Sequence, residues 1–78
     1  MKKYVLVFLV AMVSTAGFTQ SEHTLLREGD INYKNDNYNS AEESYRKALE
    51  KRVAPSTKYN LGNSIYRQQR FDEAVKQY

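Results

Sequence analysis

The stretch GDINYKNDNYNSAEESY, residues 29–45, returns in altered form as GNSIYRQQRFDEAVKQY, residues 62–78. Small and aromatic residues recur at the same places, each 33 residues from its counterpart. A fixed period of roughly 20 to 50 residues is typical of repeat proteins, in which each unit buries its apolar face against the next. The matched pairs are Gly29 with Gly62, Tyr33 with Tyr66, Tyr38 with Phe71, Ala41 with Ala74, and Tyr45 with Tyr78.

A first helix is predicted over about residues 22–34. Ser21 or Thr24 can begin it, because their hydroxyls accept hydrogen bonds from the unpaired backbone amides of a helix start. Asn35, Asp36 and Asn37 then tolerate left-handed and turn conformations. The chain is therefore expected to reverse direction between residues 35 and 37.

A second helix is predicted over about residues 39–53. Asn39 or Ser40 would begin it, with Glu42 or Glu43 three residues later in a capping-box arrangement. The spacing predicts one apolar stripe, formed by Tyr38, Ala41, Tyr45, Ala48 and Leu49. It also predicts a solvated face, formed by Glu42, Glu43, Arg46, Lys47 and Glu50.

Pro55 forbids continuation of the second helix, so a second unit is predicted over residues 56–78. Ser56 or Thr57 would open its first helix, which runs to about Gln69, and Phe71 would start its second helix. That last helix is expected to be shorter than its counterpart in the first unit. We therefore expect the 78 residues to be part of a longer array and only marginally stable alone.

The pattern resembles the tetratricopeptide repeat, an all-α helix-turn-helix unit. Residues 22–55 match a first repeat and residues 56–78 a second repeat that is incomplete in its second helix. Glu28 and Asn32 depart from the pattern, since Leu and an aromatic residue are usual at their places. The matching residues are Leu25, Gly29, Tyr33, Tyr38, Ala41, Tyr45, Ala48 and Pro55, then Leu61, Gly62, Ile65, Tyr66, Phe71, Ala74 and Tyr78.

The resemblance implies a groove for a protein or peptide partner, lined by the first helix of each repeat. Leu26 and Asp30 stand where the carboxylate-clamping variety has Lys and Asn, which argues against a clamp for a C-terminal carboxylate. Tyr33, Tyr59 and Tyr66 have packing as an alternative role. The implied groove residues are His23, Leu26, Asp30, Tyr33 and Lys34 in the first repeat, and Tyr59, Asn60, Asn63, Tyr66 and Arg67 in the second.

Residues 1–19 have the order of a secretory signal. Lys2 and Lys3 precede an apolar run over residues 4–13, and small residues follow it. Cleavage is expected after Ala16 or after Thr19, with Thr19 favoured, so the protein would be exported to the bacterial periplasm. The alternative is an inner-membrane anchor over residues 4–18, although that segment falls short of the ~20 apolar residues that a spanning helix needs.

Composition excludes several classes of function. The formal charge is +3, and it falls to +1 without Lys2 and Lys3, which argues against a nucleic-acid interface. The absence of cysteine removes disulfides, thiol catalysis and cysteine metal sites. His23 is the single histidine, and no second titratable group is specified beside it for acid–base catalysis.

Ligand and cofactor sites are not indicated either. The acidic stretch from Asp30 to Asn39 fails as a calcium loop, because Lys34 holds a ligand place and no glycine provides the turn. Gly29 and Gly62 are isolated and are better explained by close helix packing than by phosphate binding. We therefore predict no enzyme, no cofactor and no metal site.

The sequence thus predicts a protein-binding scaffold of the bacterial envelope. It is also similar to the exported tetratricopeptide proteins of bacterial aerotolerance (Bat-type) operons, through the signal segment and the runs LREGD, residues 26–30, and YNLGNSIYRQ, residues 59–68. That similarity implies membrane-bound von Willebrand A-type partners and a role in envelope stress. The alternative is an N-terminal structural cap of a larger exported protein whose activity lies downstream.

Overall fold

The computed structural model describes residues 19–78, and these residues form an all-α structure. The predicted signal segment lies outside them, apart from Thr19. The four helices are α1 (Glu22–Lys34), α2 (Tyr38–Lys51), α3 (Pro55–Tyr66) and α4 (Phe71–Gln77). Each connection has three or four residues, which is typical of antiparallel neighbouring helices.

The helices form two antiparallel hairpins, α1–α2 and α3–α4. In the first hairpin, Arg52 pairs with Glu22 at one end and the Tyr33 ring packs on Tyr38 at the other. The second hairpin repeats the inner contact, because Tyr66 packs edge-on against Phe71 with ring centroids 4.8 Å apart. Since these aromatic pairs are 33 residues apart in the sequence, both hairpins have the same register.

The two hairpin turns have the same backbone conformation. Asp36 has φ of 60° and Gln69 has φ of 63°. The next residue in each turn, Asn37 or Arg70, donates its backbone N–H to the carbonyl five residues earlier. This is the pattern of a helix end closed by a left-handed residue. Left-handed geometry at Asp36 agrees with the prediction, whereas glutamine at position 69 gave no such signal.

A single core joins the two hairpins. Its buried members are Ala41 and Tyr45 from α2, Leu61 and Ile65 from α3, and Ala74 from α4. Leu26, Tyr33 and Leu49 pack against its edge. The predicted apolar stripe of α2 therefore faces the core in its central part, and the second hairpin covers it.

Most helix ends fall close to their predicted positions. Ser21 caps α1 as predicted, accepting a hydrogen bond from the Thr24 N–H. The predicted start of α2 is wrong, because α2 begins at Tyr38 and its N-cap, Asn37, makes no side-chain cap hydrogen bond. Its end, expected near residue 53, is at Lys51, because Arg52 is already extended and Pro55 begins α3 as its first residue.

Glu42 contradicts the predicted solvated face of α2. Its side chain is only 12% exposed and accepts hydrogen bonds from Arg70, Gln68 and Arg46. Arg70 and Gln68 belong to the turn between α3 and α4, so this carboxylate joins the two hairpins. Glu43 and Lys47, by contrast, form the predicted exposed pair at 3.1 Å.

Candidate partner-binding face

Five of the ten predicted groove residues line one concavity of about 180 Å³ between the hairpins. Helix α1 contributes Asp30, Tyr33 and Lys34, and helix α3 contributes Asn60 and Asn63. Tyr45 of α2 completes the lining. The surface therefore combines an aromatic ring, a carboxylate, an ammonium group and two carboxamides, which can bind both the backbone and the side chains of a peptide.

Tyr45 and Asp30 form the polar contact at the base of this concavity. The Tyr45 hydroxyl donates a hydrogen bond to Asp30 Oδ1 at 2.5 Å, and the Tyr45 ring is 2% exposed. Burial raises the pKa of Tyr45 well above its ordinary value, and the hydrogen bond to Asp30 and the charge of Asp30 raise it further. The phenol therefore stays protonated and remains a donor to Asp30.

Gly29 allows Tyr45 to approach α1. A Cβ atom added at Gly29 would lie 2.5 Å from Cε1 of the Tyr45 ring, so any side chain would push the helices apart. The same relation returns in the second hairpin, where a Cβ at Gly62 would lie 2.6 Å from Cε1 of Tyr78. The prediction that both glycines serve close helix packing is confirmed.

The other five predicted residues lie outside this concavity. His23 is exposed in the first turn of α1, and Leu26 is partly buried against the core. Tyr59 lines a second, wider depression of about 630 Å³, which it shares with Asn63. Its remaining lining comes from both hairpins and was not predicted from the sequence: Val53, Pro55, Lys58, Gln77 and Tyr78.

Tyr66 and Arg67 lie at the end of α3, beside the starts of α2 and α4. Arg67 donates a hydrogen bond to the Tyr38 hydroxyl at 2.6 Å, and its guanidinium lies 5.0 Å from the Tyr38 ring centroid. Tyr38 in turn donates to Asp36 at 2.8 Å. Arg67 is thus held by a contact between the hairpins, although it remains exposed.

The charged groups of the concavity differ in their availability. Asp30 already accepts the hydrogen bond from Tyr45, whereas Lys34 is exposed and has no ion-pair partner among residues 19–78. Lys58 at the neighbouring depression is also exposed. The available charge on this side of the molecule is therefore positive, which favours acidic groups on a partner.

Tyr45 is the residue of the concavity that sequence reasoning assigned only to the core. Its ring is buried as predicted, but its hydroxyl reaches the lining through Asp30. The signal available in the sequence was the pairing of Tyr45 with Tyr78 at the 33-residue offset, together with a polar residue, Asp30 or Asn63, after each glycine. Both tyrosine hydroxyls donate to that polar side chain.

Within residues 19–78, no cluster of three or more His, Cys, Asp or Glu side chains could hold a metal ion. None of the helices formed by these residues has the length and apolar character required to cross a membrane. Glu42 is the described carboxylate with a shifted pKa. Burial alone would raise it, but the hydrogen bonds from Arg70, Gln68 and Arg46 outweigh burial and hold the pKa below its ordinary value.

Comparison with known proteins gives no relative: no family model, no curated protein and no solved structure matches the chain.

Proposed function

We propose that this chain is a tetratricopeptide-type scaffold that binds a segment of a partner protein and catalyses no reaction. The observation that carries the proposal is the concavity between the hairpins, which gathers Asp30, Tyr33 and Lys34 from α1 with Asn60 and Asn63 from α3. The same residues were selected as groove positions from the sequence alone. Repeat proteins commonly use such concave surfaces, which neighbouring units build together.

The chemistry of the concavity favours an extended or helical peptide with acidic side chains. Asn60 and Asn63 carry both donors and acceptors, so they can pair with peptide groups of either polarity. Tyr33 offers a partly exposed aromatic ring for an apolar side chain, and Lys34 offers a positive charge without a described partner. Tyr45 and Asp30 support this surface from below through their hydrogen bond.

The location of the scaffold is part of the proposal. The charged, apolar and small-residue order of residues 1–19 supports export to the bacterial envelope. The similarity to Bat-type tetratricopeptide proteins supports membrane-bound von Willebrand A-type proteins as partners, with a role in envelope stress. Both statements rest on the sequence.

Site-specific photo-cross-linking in a bacterium that carries the gene tests the proposed face. A photoreactive amino acid is placed at Lys34 or Asn60 in the concavity, and in matched variants at Glu43 or Lys47 on the exposed side of α2. We expect one protein adduct from both concave positions and none from the α2 positions. The adduct is then identified by mass spectrometry.

Cross-links from Glu43 and Lys47, with none from Lys34 and Asn60, would place the partner on the opposite side and overturn the proposal. A second measurement uses Lys34→Glu, which reverses the available charge. It should weaken capture of the cross-linked partner about tenfold or more, because the favourable contact becomes a repulsion. The helix content, measured by circular dichroism, should be unchanged since Lys34 is exposed.

A further inference from the structure

Helix α4 carries an apolar face that the rest of the described chain leaves largely open. Phe71, Val75 and Tyr78 are spaced by four and three residues, so they lie along one side of the helix. They are 50%, 67% and 60% exposed. We call this set the α4 stripe. Three adjacent large apolar side chains with this exposure indicate an interaction surface.

The first hairpin shows what such a face accepts. Tyr45 of α2 corresponds to Tyr78, and the two rings share the same contacts: each lies over a glycine, and each hydroxyl donates to the following polar residue at 2.5 Å. Yet Tyr45 is 2% exposed and Tyr78 is 60% exposed. The difference arises because α3 packs on α2 through Leu61 and Ile65. The α4 stripe therefore has the surroundings that, in α2, receive another helix.

We propose that the α4 stripe is a self-association surface, covered by the α4 helix of a second copy of this chain in an antiparallel, two-fold symmetric pair. This inference is independent of the proposed groove, which lies between α1 and α3. In a two-fold contact the same patch serves both partners, so a single self-complementary stripe closes the assembly at two copies.

The order of charges along α4 selects the antiparallel arrangement. Asp72 and Lys76 flank the stripe at one position beyond Phe71 and Val75, and both are exposed. Among residues 19–78, neither takes part in an ion pair. An antiparallel pair brings Asp72 of each copy beside Lys76 of the other, whereas a parallel pair would bring like charges together.

The same surface also provides a recess. The depression of about 630 Å³ next to the stripe is lined by Tyr78 together with Val53 and Tyr59, which are also exposed. Apolar side chains of the second copy can enter it. Stable dimers bury roughly 800 Å² on each partner, more than a seven-residue helix supplies, so the dissociation constant is expected to be on the order of 10⁻⁴ M.

Single-cysteine variants of the full chain test this pairing, because the chain has no cysteine of its own. Val75 is near the middle of the stripe, so in a two-fold antiparallel pair the Val75→Cys residues of the two copies meet and can form a disulfide. Ile31→Cys on α1 is the matched control, since Ile31 is also a half-exposed apolar helix residue. Disulfide-linked dimers are followed over time on non-reducing gels.

We expect Val75→Cys to cross-link about tenfold faster than Ile31→Cys at equal protein concentration, because pairing raises the local thiol concentration. Equal rates, or faster reaction of Ile31→Cys, would overturn the proposal. Any association through residues 1–18 is common to both variants and cannot produce the difference.

The charge order is tested on the Val75→Cys background. Asp72→Lys should slow cross-linking about two- to tenfold, since it replaces two attractions across the pair with repulsions. Adding Lys76→Asp reverses both charges and should restore the original rate. Failure of the double variant to recover, with helix content unchanged, would overturn antiparallel pairing of two copies and assign the stripe to a different partner.

Discussion

Tyr45 is fixed to α1 by two contacts: its hydroxyl donates a hydrogen bond to Asp30 at 2.5 Å, and its ring packs where Gly29 has no side chain. One contact is polar and directional, and the other is steric. Together they set the separation of α1 and α2 directly below the proposed binding face. The same pair of contacts returns at Tyr78, with Asn63 and Gly62.

Gly29→Ala should destabilise the chain. The added Cβ would lie 2.5 Å from the Tyr45 ring, and the buried ring has no space to withdraw. Overpacking costs about 1–3 kcal/mol, which exceeds the gain of at most ~1 kcal/mol from placing alanine in a helix. Urea unfolding followed by circular dichroism measures the difference in the free energy of unfolding.

Gly62→Ala is the matched control for that substitution. Its Cβ would lie 2.6 Å from the Tyr78 ring, but Tyr78 is 60% exposed and can rotate into solvent. The free energy of unfolding should therefore change by less than about 1 kcal/mol, and it can rise through helix propensity. Equal losses in the two variants would show that burial of Tyr45 does not determine the effect.

Glu42→Gln should reduce both stability and its dependence on acid. Replacing the buried carboxylate weakens its charged hydrogen bonds from Arg70 and Arg46, at a cost of about 1–3 kcal/mol at neutral pH. Because the folded-state pKa lies below the ordinary 4.5, the stabilisation is present above pH 4.5 and is lost as the pH falls through the folded-state pKa. Urea unfolding at several pH values should show a flatter acidic limb in the variant.

Glu43→Gln provides the control for the acid experiment. Glu43 and Lys47 form an exposed ion pair on the same helix, so the loss should stay below about 0.5 kcal/mol. The account of Glu42 would be wrong if the two variants lost equal stability, or if Glu42→Gln kept the acidic limb of the unmodified chain.

Tyr45→Phe should alter stability at high pH. Burial and then Asp30 raise the folded-state pKa of Tyr45, so its stabilisation is complete below the unfolded-state pKa of about 10 and is lost as the pH rises through the folded-state pKa. The variant should lose about 1 kcal/mol at neutral pH through the missing hydrogen bond. Its stability should decline less steeply above pH 10, and parallel curves for the two proteins would contradict this explanation.

Sequence reasoning identified local features because short-range chemistry determines them. The Ser21 cap, the left-handed Asp36 and the small residue at Gly29 each follow from the conformations that those residues favour. The 33-residue offset could also have assigned left-handed geometry to Gln69, the counterpart of Asp36, although glutamine itself is not typical of that conformation.

Glu42 was misplaced because its burial depends on residues far along the chain. Its helical position at the flank of the apolar stripe permits either exposure or burial. Arg70 decides the outcome from 28 residues away, by entering from the turn between α3 and α4. In the same way, the concavity was predicted as a set of positions, but its division into two depressions depends on where α3 crosses α2.

Export makes a separate prediction, which concerns residues outside the described structure. The mature protein should begin between residues 17 and 21, because cleavage is expected after Ala16 or Thr19. Intact-mass measurement of the protein from a bacterial periplasmic fraction decides this. Recovery of the chain beginning at Met1 from the membrane fraction would replace cleavage with anchoring over residues 4–18.

The central claim is that one 33-residue unit is built twice, with a tyrosine of the second helix packed over a glycine of the first. Nuclear Overhauser contacts in the full chain measure this directly. We predict strong contacts from the ring protons of Tyr45 to the α-protons of Gly29 and from those of Tyr78 to Gly62. Their absence in both hairpins, in a chain that remains helical, would contradict the repeat arrangement and the binding face that it positions.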